Sequence, residues 1–113
     1  MTNSNTYSYA EYVPALKAVS DETRLKIIDM ISCGEICACD ILEGLNISQP
    51  TLSYHMKILS ESGLVNAVRV GAWMRYTLNR EKTDAVIKFF DFITSEKDNC
   101  ICKKCCSSKE CKD

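Results

Sequence analysis

Two short helical patterns joined by a tight turn limit the fold of this chain more than any other feature. The first pattern covers residues 37–45 and ends near Asn46, and the second begins at Ser48, a residue type that caps helix N-termini. Pro50 lies in the first turn of the second pattern, where its missing N–H costs no hydrogen bond. The apolar residues of the second pattern share one face at helical spacing: Leu52, Met56 and Leu59. The sequence therefore predicts a helix-turn-helix around Asn46 and Ile47.

The flanking segments complete a mainly α-helical fold with one small β-hairpin. Residues on both sides of Gly71 alternate between apolar and polar, as the strands of a tight hairpin do. The last helical pattern carries an apolar stripe formed by Val86, Phe89, Phe90 and Ile93. The elements predicted outside the helix pair are helices over 10–19, 22–33 and 81–95, and strands over 65–70 and 73–78. A hairpin that follows a helix-turn-helix forms a wing, so we expect a winged helix-turn-helix.

The length of the chain and the end of its periodicity predict one domain and a tail. A chain of 113 residues can bury only a thin core, which a symmetric partner would stabilise. We therefore expect a DNA-binding and dimerisation domain over residues 1–97. Residues 98–113 have no periodicity and consist mainly of Cys, Lys and Ser, which indicates a cysteine-rich C-terminal tail.

The apolar segments of the chain are too short for a membrane span, and its first residues do not resemble a signal peptide. We therefore expect no membrane association and a cytoplasmic location. Thiols stay reduced in the cytosol, so eight clustered cysteines indicate metal or redox chemistry more than disulfides.

Positive charge is concentrated in the centre of the chain, although the net charge is −1. Residues 47–82 hold five Lys and Arg against two Asp and Glu, and a basic segment at a helix-turn-helix indicates contact with phosphates. The first residues of a recognition helix reach base edges. The residues expected to bind DNA are Ser48, Gln49, Thr51, Ser53, Tyr54 and Lys57 on the helix, and Arg69 and Arg75 on the wing. The alternative is a solvated helix face beside an ordinary hairpin.

The cysteines fall into two groups that suggest a site for a soft ion. The first group is Cys37 and Cys39, with Cys33 four residues before Cys37. The second group lies in the tail, which has five cysteines within twelve residues, few apolar partners to bury them and many lysines that favour thiolates. Soft thiolate ligands select soft metals and metalloids.

The sequence does not decide which residue supplies the third ligand of such a site. Two thiolates alone would bind trivalent arsenic or antimony weakly, so another must complete the first group. The tail either holds a whole site of its own or donates the missing thiolate, and its candidate ligands are Cys105, Cys106 and Cys111. Further thiols of undefined role are Cys33, Cys100 and Cys102.

Three stretches of the sequence resemble the ArsR/SmtB family of metal-sensing repressors over about residues 15–95. They are ALKAVSDETRLKIIDMI, EICACDILEGLNISQPTLSYHMKILSESGLV and RVGAWMRYTL. The resemblance implies a winged-helix homodimer in which the first and last helices pair across the dimer axis. It also implies binding to double-stranded operator DNA, with half-sites about one or more helical turns (~34 Å each) apart.

The segment EICACDIL is similar to the arsenite-binding motif of that family, ELCxCDLx. The resemblance implies metalloid ligands at Cys37 and Cys39, but Leu42 stands where the family's arsenite sensors have their third cysteine. The family's zinc and nickel sensors use histidines on the last helix, and the last helix predicted here has none. The single histidine, His55, lies within the recognition helix, where we expect a structural role or a phosphate contact.

These observations predict a DNA-binding repressor that arsenite or antimonite, or another soft metal ion, releases from its operator. Two alternatives remain: a thiol-redox-sensing repressor of the same fold, and a cadmium or lead sensor that uses four thiolates. No organic cofactor is expected. An enzyme is not expected, because the sequence has no Gly-rich phosphate loop and its histidine has no evident nucleophile as a partner.

Overall fold

A computed structural model of the protein describes residues 8–97, which form five helices and three short strands. In chain order they are α1 (Tyr9–Ala18), α2 (Glu22–Ile31), β1 (Ile36–Cys37), α3 (Ala38–Leu45), α4 (Gln49–Glu61), β2 (Val65–Val70), β3 (Trp73–Leu78) and α5 (Arg80–Thr94). None of these helices is long and apolar enough to cross a membrane.

Side-chain caps fix where three of the helices begin. The Asp21 carboxylate accepts a hydrogen bond from the backbone N–H of Arg24 at 3.0 Å, and the Ser48 hydroxyl accepts one from Thr51 at 3.3 Å. Asn79 caps α5 in the same way. Each cap satisfies an N–H group that has no partner inside its helix. Ser48 is confirmed as a cap, and α5 begins one residue earlier than the sequence predicts.

The β-hairpin is confirmed, and a third strand that the sequence did not reveal pairs with it. The antiparallel sheet has the order β1-β3-β2, and Gly71 occupies the turn with a φ of 66°, a conformation that favours glycine. On the other edge of β3, Ile36 lies opposite Tyr76 and Cys37 lies opposite Arg75. Cys37 was expected to begin a helix. It instead ends β1 and caps α3. The sequence did not predict β1, because two residues are too few to show a strand periodicity.

The core lies between α2, α3, α4 and the base of the sheet. Its largest fully buried side chains are Ile27, Ile31, Ile41 and Leu59. The predicted inner face of α4 is confirmed, since Leu52 and Met56 are also buried. The outer surface of α4 is therefore free to carry polar residues.

The apolar stripe of α5 divides between the core and the surface. Phe89 is buried and its ring stacks on Tyr12 of α1 at a centroid distance of 4.3 Å. Phe90, which was expected to share that face, is 53% exposed, because adjacent residues of a helix point about 100° apart. Other large apolar side chains exposed on the helices are Val13 on α1, Leu25 on α2 and Ile87 on α5. A single copy of the chain therefore leaves apolar surface on its first and last helices.

We expect Ile41→Ala to lower the free energy of unfolding by about 2–5 kcal/mol, because it leaves a cavity beneath α3. Ile41→Val should cost only about 0.5–1.5 kcal/mol. Chemical denaturation at one fixed protein concentration measures both. Val68→Thr on the exposed side of β2 is the control and should change stability by less than about 0.5 kcal/mol. An Ile41→Ala loss no larger than that of the control would contradict the packing of α3 against the core.

Candidate functional site

The outward face of α4 is polar and exposed. All six residues expected to bind DNA in this region are exposed to solvent: Ser48, Gln49, Thr51, Ser53, Tyr54 and Lys57. The helix presents them together because its buried residues, at a spacing of three and four, occupy the opposite side. The Ser48 hydroxyl also donates to the Thr51 hydroxyl at 2.9 Å, so these two side chains hold the N-terminus of α4 as well as facing solvent.

The two wing arginines lie on opposite faces of the hairpin. Arg69 lies opposite Met74, and Arg75 lies opposite Val68, so the alternation of the strands places the two guanidinium groups on different sides. Arg69 is exposed and shares its face with Ala67, Met74 and Tyr76, residues that border the space next to α4. Arg69 therefore lies on the same side of the wing as the recognition helix.

Arg75 lies next to the thiols. Its guanidinium nitrogen is 3.8 Å from a carboxylate oxygen of Glu35, and its backbone pairs with that of Cys37 across the sheet. It is half-buried. A contact with DNA remains a prediction for Arg75, whereas the structure gives it neighbours in the first cysteine group.

The first cysteine group forms a close pair at the N-terminus of α3. The Cys37 and Cys39 sulfur atoms are 2.7 Å apart, and the backbone N–H of Cys39 donates to the Cys37 sulfur at 3.3 Å. Cys37 is buried and Cys39 is half-buried. Cys33 is exposed, and its Sγ lies 4.0 Å from the Ser32 hydroxyl. The strand end and the helix start thus place two sulfur atoms where one ion could bind both.

The two thiols of this pair differ in acidity. A hydrogen bond between the two sulfur atoms, together with backbone N–H groups and the charge of Arg75, lowers the pKa of Cys37 against the opposing effect of desolvation. The same bond raises the pKa of Cys39, with desolvation and the nearby Cys37 and Asp40 charges acting in the same direction. Cys37 is therefore the first of the two to become a thiolate, which is the form that binds soft ions.

A trivalent metalloid fits this pair only in part. Two sulfur atoms supply two of the three ligands of a pyramidal site, and residues 8–97 contain no group of three metal-binding side chains. The other predicted ligands, Cys105, Cys106 and Cys111, lie outside the described residues. Within residues 8–97, Cys37 and Cys39 therefore offer two thiol ligands of such a site.

A polar link between α2 and α4 escaped the sequence-based predictions. His55 is only 9% exposed, and its ring nitrogen Nδ1 lies 3.0 Å from a guanidinium nitrogen of Arg24. The available signal was a lone histidine at the border of an apolar helix face, which required a polar partner. The identity of that partner could not be predicted, because it depends on the packing of two helices that are distant in the sequence.

Comparison with known proteins assigns the chain to a family. The model of the family described as "Bacterial regulatory protein, arsR family" matches residues 21–67, from the cap of α2 into β2. The "Arsenical resistance operon repressor" of Staphylococcus xylosus is 45% identical over 104 residues, which cover 92% of this chain and 99% of that protein. The chain belongs to the arsR family. The protein of the same description from Staphylococcus aureus is also 45% identical, over 85% of this chain and 92% of its own length.

Solved structures of arsR-family and related regulators share the fold. An ArsR-like transcriptional regulator from Rhodococcus superposes with a TM-score of 0.73 at 26% identity and 90% coverage of both chains. HlyU from Vibrio cholerae gives a TM-score of 0.63 at 31% identity, over 77% of this chain and 95% of that one. The expected winged helix-turn-helix fold and a DNA-binding transcriptional repressor of the arsR family are thus confirmed, and this family is not a class of enzymes.

We expect the Cys37 thiol to react with an alkylating reagent at lower pH than the Cys39 thiol, because only the thiolate is nucleophilic. Peptide mapping by mass spectrometry after brief exposure to iodoacetamide across a pH series measures both profiles. Arg75→Gln should move the Cys37 profile to higher pH, since it removes a positive charge that favours the thiolate. Arg69→Gln, on the opposite face of the wing, is the matched control and should leave that profile in place. Reaction of Cys39 before Cys37 would contradict the assignment.

Proposed function

We propose that this chain is a repressor of arsenic resistance functions that leaves its operator when arsenite or antimonite binds its thiols. The observation that carries the proposal is the pair of sulfur atoms, 2.7 Å apart, at the start of α3, which is the first helix of the helix-turn-helix. Two relatives that share 45% of their aligned residues with this chain are named arsenical resistance operon repressors, which supports a metalloid as the inducer.

The DNA-binding surface of the proposal is the outward face of α4. Gln49 suits adenine, Lys57 suits guanine or phosphate, and Ser53 suits either base, while the backbone N–H of Gln49 at the start of α4 suits a phosphate. Arg69 is proposed to contact the backbone beside the groove, because it lies on the same side of the wing as α4. Arg75 would reach the backbone only from the opposite face.

A homodimer is proposed to present two such surfaces to a near-palindromic operator. The apolar side chains exposed on the helices of one copy support this arrangement, and the residues concerned are Val13, Leu25, Ile87 and Phe90. Burial of such side chains in a partner is favourable in proportion to their area. Pairing of α1 and α5 with their counterparts would leave α4 and the wing free on the other side.

Binding of the metalloid is proposed to be an exchange of hydroxyl groups for thiolates. Arsenous acid, As(OH)₃, would form three As–S bonds, and its three hydroxyl groups would leave as water with the three thiol protons. Cys37 and Cys39 would supply two sulfur atoms. The tail, proposed as a segment separate from the folded domain, would supply the third from Cys105, Cys106 or Cys111 of the same or the partner subunit.

Metalloid binding would act on the DNA-binding surface through β1. Cys37 is at once the cap of α3 and the strand partner of Arg75 in β3, so a change in its position bears on both the helix-turn-helix and the wing. By thermodynamic linkage, the ion must bind the free protein more tightly than the DNA-bound protein. A shift from 1:99 to 99:1 in favour of the free protein needs about 5.5 kcal/mol of differential binding.

A redox-sensing repressor is the second candidate, and the same sulfur pair favours it. A thiolate at Cys37 in contact with the Cys39 thiol could be oxidised by a peroxide to a sulfenic acid, which Cys39 would convert to a disulfide with loss of water. Peroxide would then release DNA in the absence of metalloid. A cadmium or lead sensor would instead need four thiolates and would respond to those ions in preference to arsenite.

We expect Lys57→Gln to weaken binding to a duplex selected from a random pool by the wild-type protein. It should also reduce the slope of log affinity against log salt by about one, because one phosphate contact is lost. Fluorescence anisotropy with labelled DNA across a salt series measures both. Lys26→Gln is the control of equal charge change on α2, and it should leave the slope unchanged. Equal effects of the two variants would contradict the assignment of α4 to the DNA surface.

We expect arsenite to release the wild-type protein from that duplex under reducing conditions and to fail with Cys37→Ser or Cys39→Ser. The serine variants keep similar side-chain volumes but lack a thiolate ligand, so they should bind DNA normally in the absence of arsenite. Cys33→Ser is the matched control and should respond as the wild type does. If Cys37→Ser left the duplex at the same arsenite concentration as the wild type, this site would be refuted. If arsenite, antimonite, cadmium and lead all failed to release the wild type from the duplex, the sensor function would be refuted.

A further inference from the structure

A partly buried polar link joins three helices behind the recognition helix. Arg24 of α2 donates from Nε to the carbonyl oxygen of Ala18, the last residue of α1, at 2.6 Å. Its Nη1 lies 3.0 Å from Nδ1 of His55 on α4, and its own backbone N–H is bound by the Asp21 carboxylate. One guanidinium group therefore joins α1, α2 and α4.

The donors and acceptors of this link fix the protonation of the imidazole ring. A guanidinium group only donates hydrogen bonds, so Nδ1 of His55 must accept, and the ring proton must be on Nε2. Among the described residues, the Asp21 carboxylate lies 3.9 Å from Nδ1, which is beyond hydrogen-bond distance but within ion-pair distance of a protonated ring. A proton on Nδ1 would remove the acceptor and place two cationic groups in contact.

The position of the link bears on DNA binding. Apolar contacts of Leu52, Met56 and Leu59 favour burial of one side of α4, but they are not directional and tolerate small rotations. The hydrogen bond between Arg24 and His55 is directional, and His55 belongs to α4, the helix that carries the DNA-binding face. Tyr54, an expected DNA contact, lies next to His55, with ring centroids 5.1 Å apart.

We propose that Arg24 and His55 are positioning residues that fix the rotation and depth of the recognition helix, and that DNA binding requires Nδ1 of His55 as the hydrogen-bond acceptor of Arg24. Neither residue need contact the duplex. This inference rests on the proposed role of α4, and it predicts that the hydrogen-bond acceptor at residue 55, more than the volume of the side chain, determines DNA affinity.

Three substitutions separate the acceptor from the packing. His55→Phe keeps a buried ring but has no acceptor, and it should weaken binding to the selected duplex by about tenfold or more, or about 1.4 kcal/mol per factor of ten. His55→Asn places an amide oxygen near the position of Nδ1 and should stay within about threefold of wild type. Met56→Leu, a conservative change at the next buried position, should also stay within about threefold. Binding by His55→Phe as tight as by the wild type would overturn the proposal.

The ring itself gives a readout that a purely structural role would not produce. His55 is the only histidine of the chain, so the long-range ¹H–¹⁵N spectrum of the labelled, reduced, full-length protein contains one imidazole. We expect the Nε2–H form with an unprotonated Nδ1, and loss of that preference in Arg24→Met. A ring protonated at Nδ1 would overturn the link.

The two readouts also separate this inference from the proposed function. The spectrum is recorded on free wild-type protein, so a His55→Phe chain that fails to fold leaves this test intact. A wild-type protein that binds no duplex would refute the DNA-binding role of α4, while the spectrum would still decide whether the hydrogen bond exists.

Discussion

The pairing of β1 with β3 is the interaction on which the arrangement of this molecule depends. Only two residues of β1 take part, yet they place Cys37 against Arg75 and set the point where α3 begins. Arg75 and Tyr76 on this edge of β3 are thereby paired with the segment that carries the first cysteine group. One short strand thus connects the thiols, the first helix of the helix-turn-helix and the wing.

The recognition helix combines two surfaces with different tasks. Its inner side is held by a dense apolar core, in which small losses of volume are costly, and by the directional bond from Arg24 to His55. Its outer side carries short polar residues that are available for a ligand. Because the inner side fixes where the outer side points, small displacements at either end of the core change the fit to a duplex. In the proposed function, this arrangement would let a site that is distant from the bases influence their recognition.

Much of the fold could be predicted from the sequence, because caps and apolar periodicity are local signals. Ser48 and Gly71 marked element boundaries correctly, and the inner face of α4 followed from a spacing of three and four. The strand β1 could not be predicted, since two residues show no period. The places of Arg75 and of the Arg24–His55 bond depended on which elements pack together. The stripe on α5 did not show which of its residues the chain itself would cover, because that depends on the packing of α1, which buries Phe89 and leaves Phe90 exposed.

The candidate site, like the fold, could be predicted from the sequence only in part. The proximity of Cys37 and Cys39 follows from their spacing, but their unequal acidity follows first from the hydrogen bond between the two sulfur atoms and then from the charge of Arg75 across the sheet, which no motif indicates. The third ligand that we propose lies far from this pair in the sequence, and local patterns do not encode which distant residues meet.

The central claim is that metalloid binding and DNA binding are coupled through one protein, and reciprocal affinities test it most directly. The affinity of the reduced protein for arsenite would be measured by calorimetry with and without a saturating amount of the selected duplex. The account predicts that DNA weakens arsenite binding by the same factor by which arsenite weakens DNA binding. Equal arsenite affinities for the free and the DNA-bound protein would contradict it.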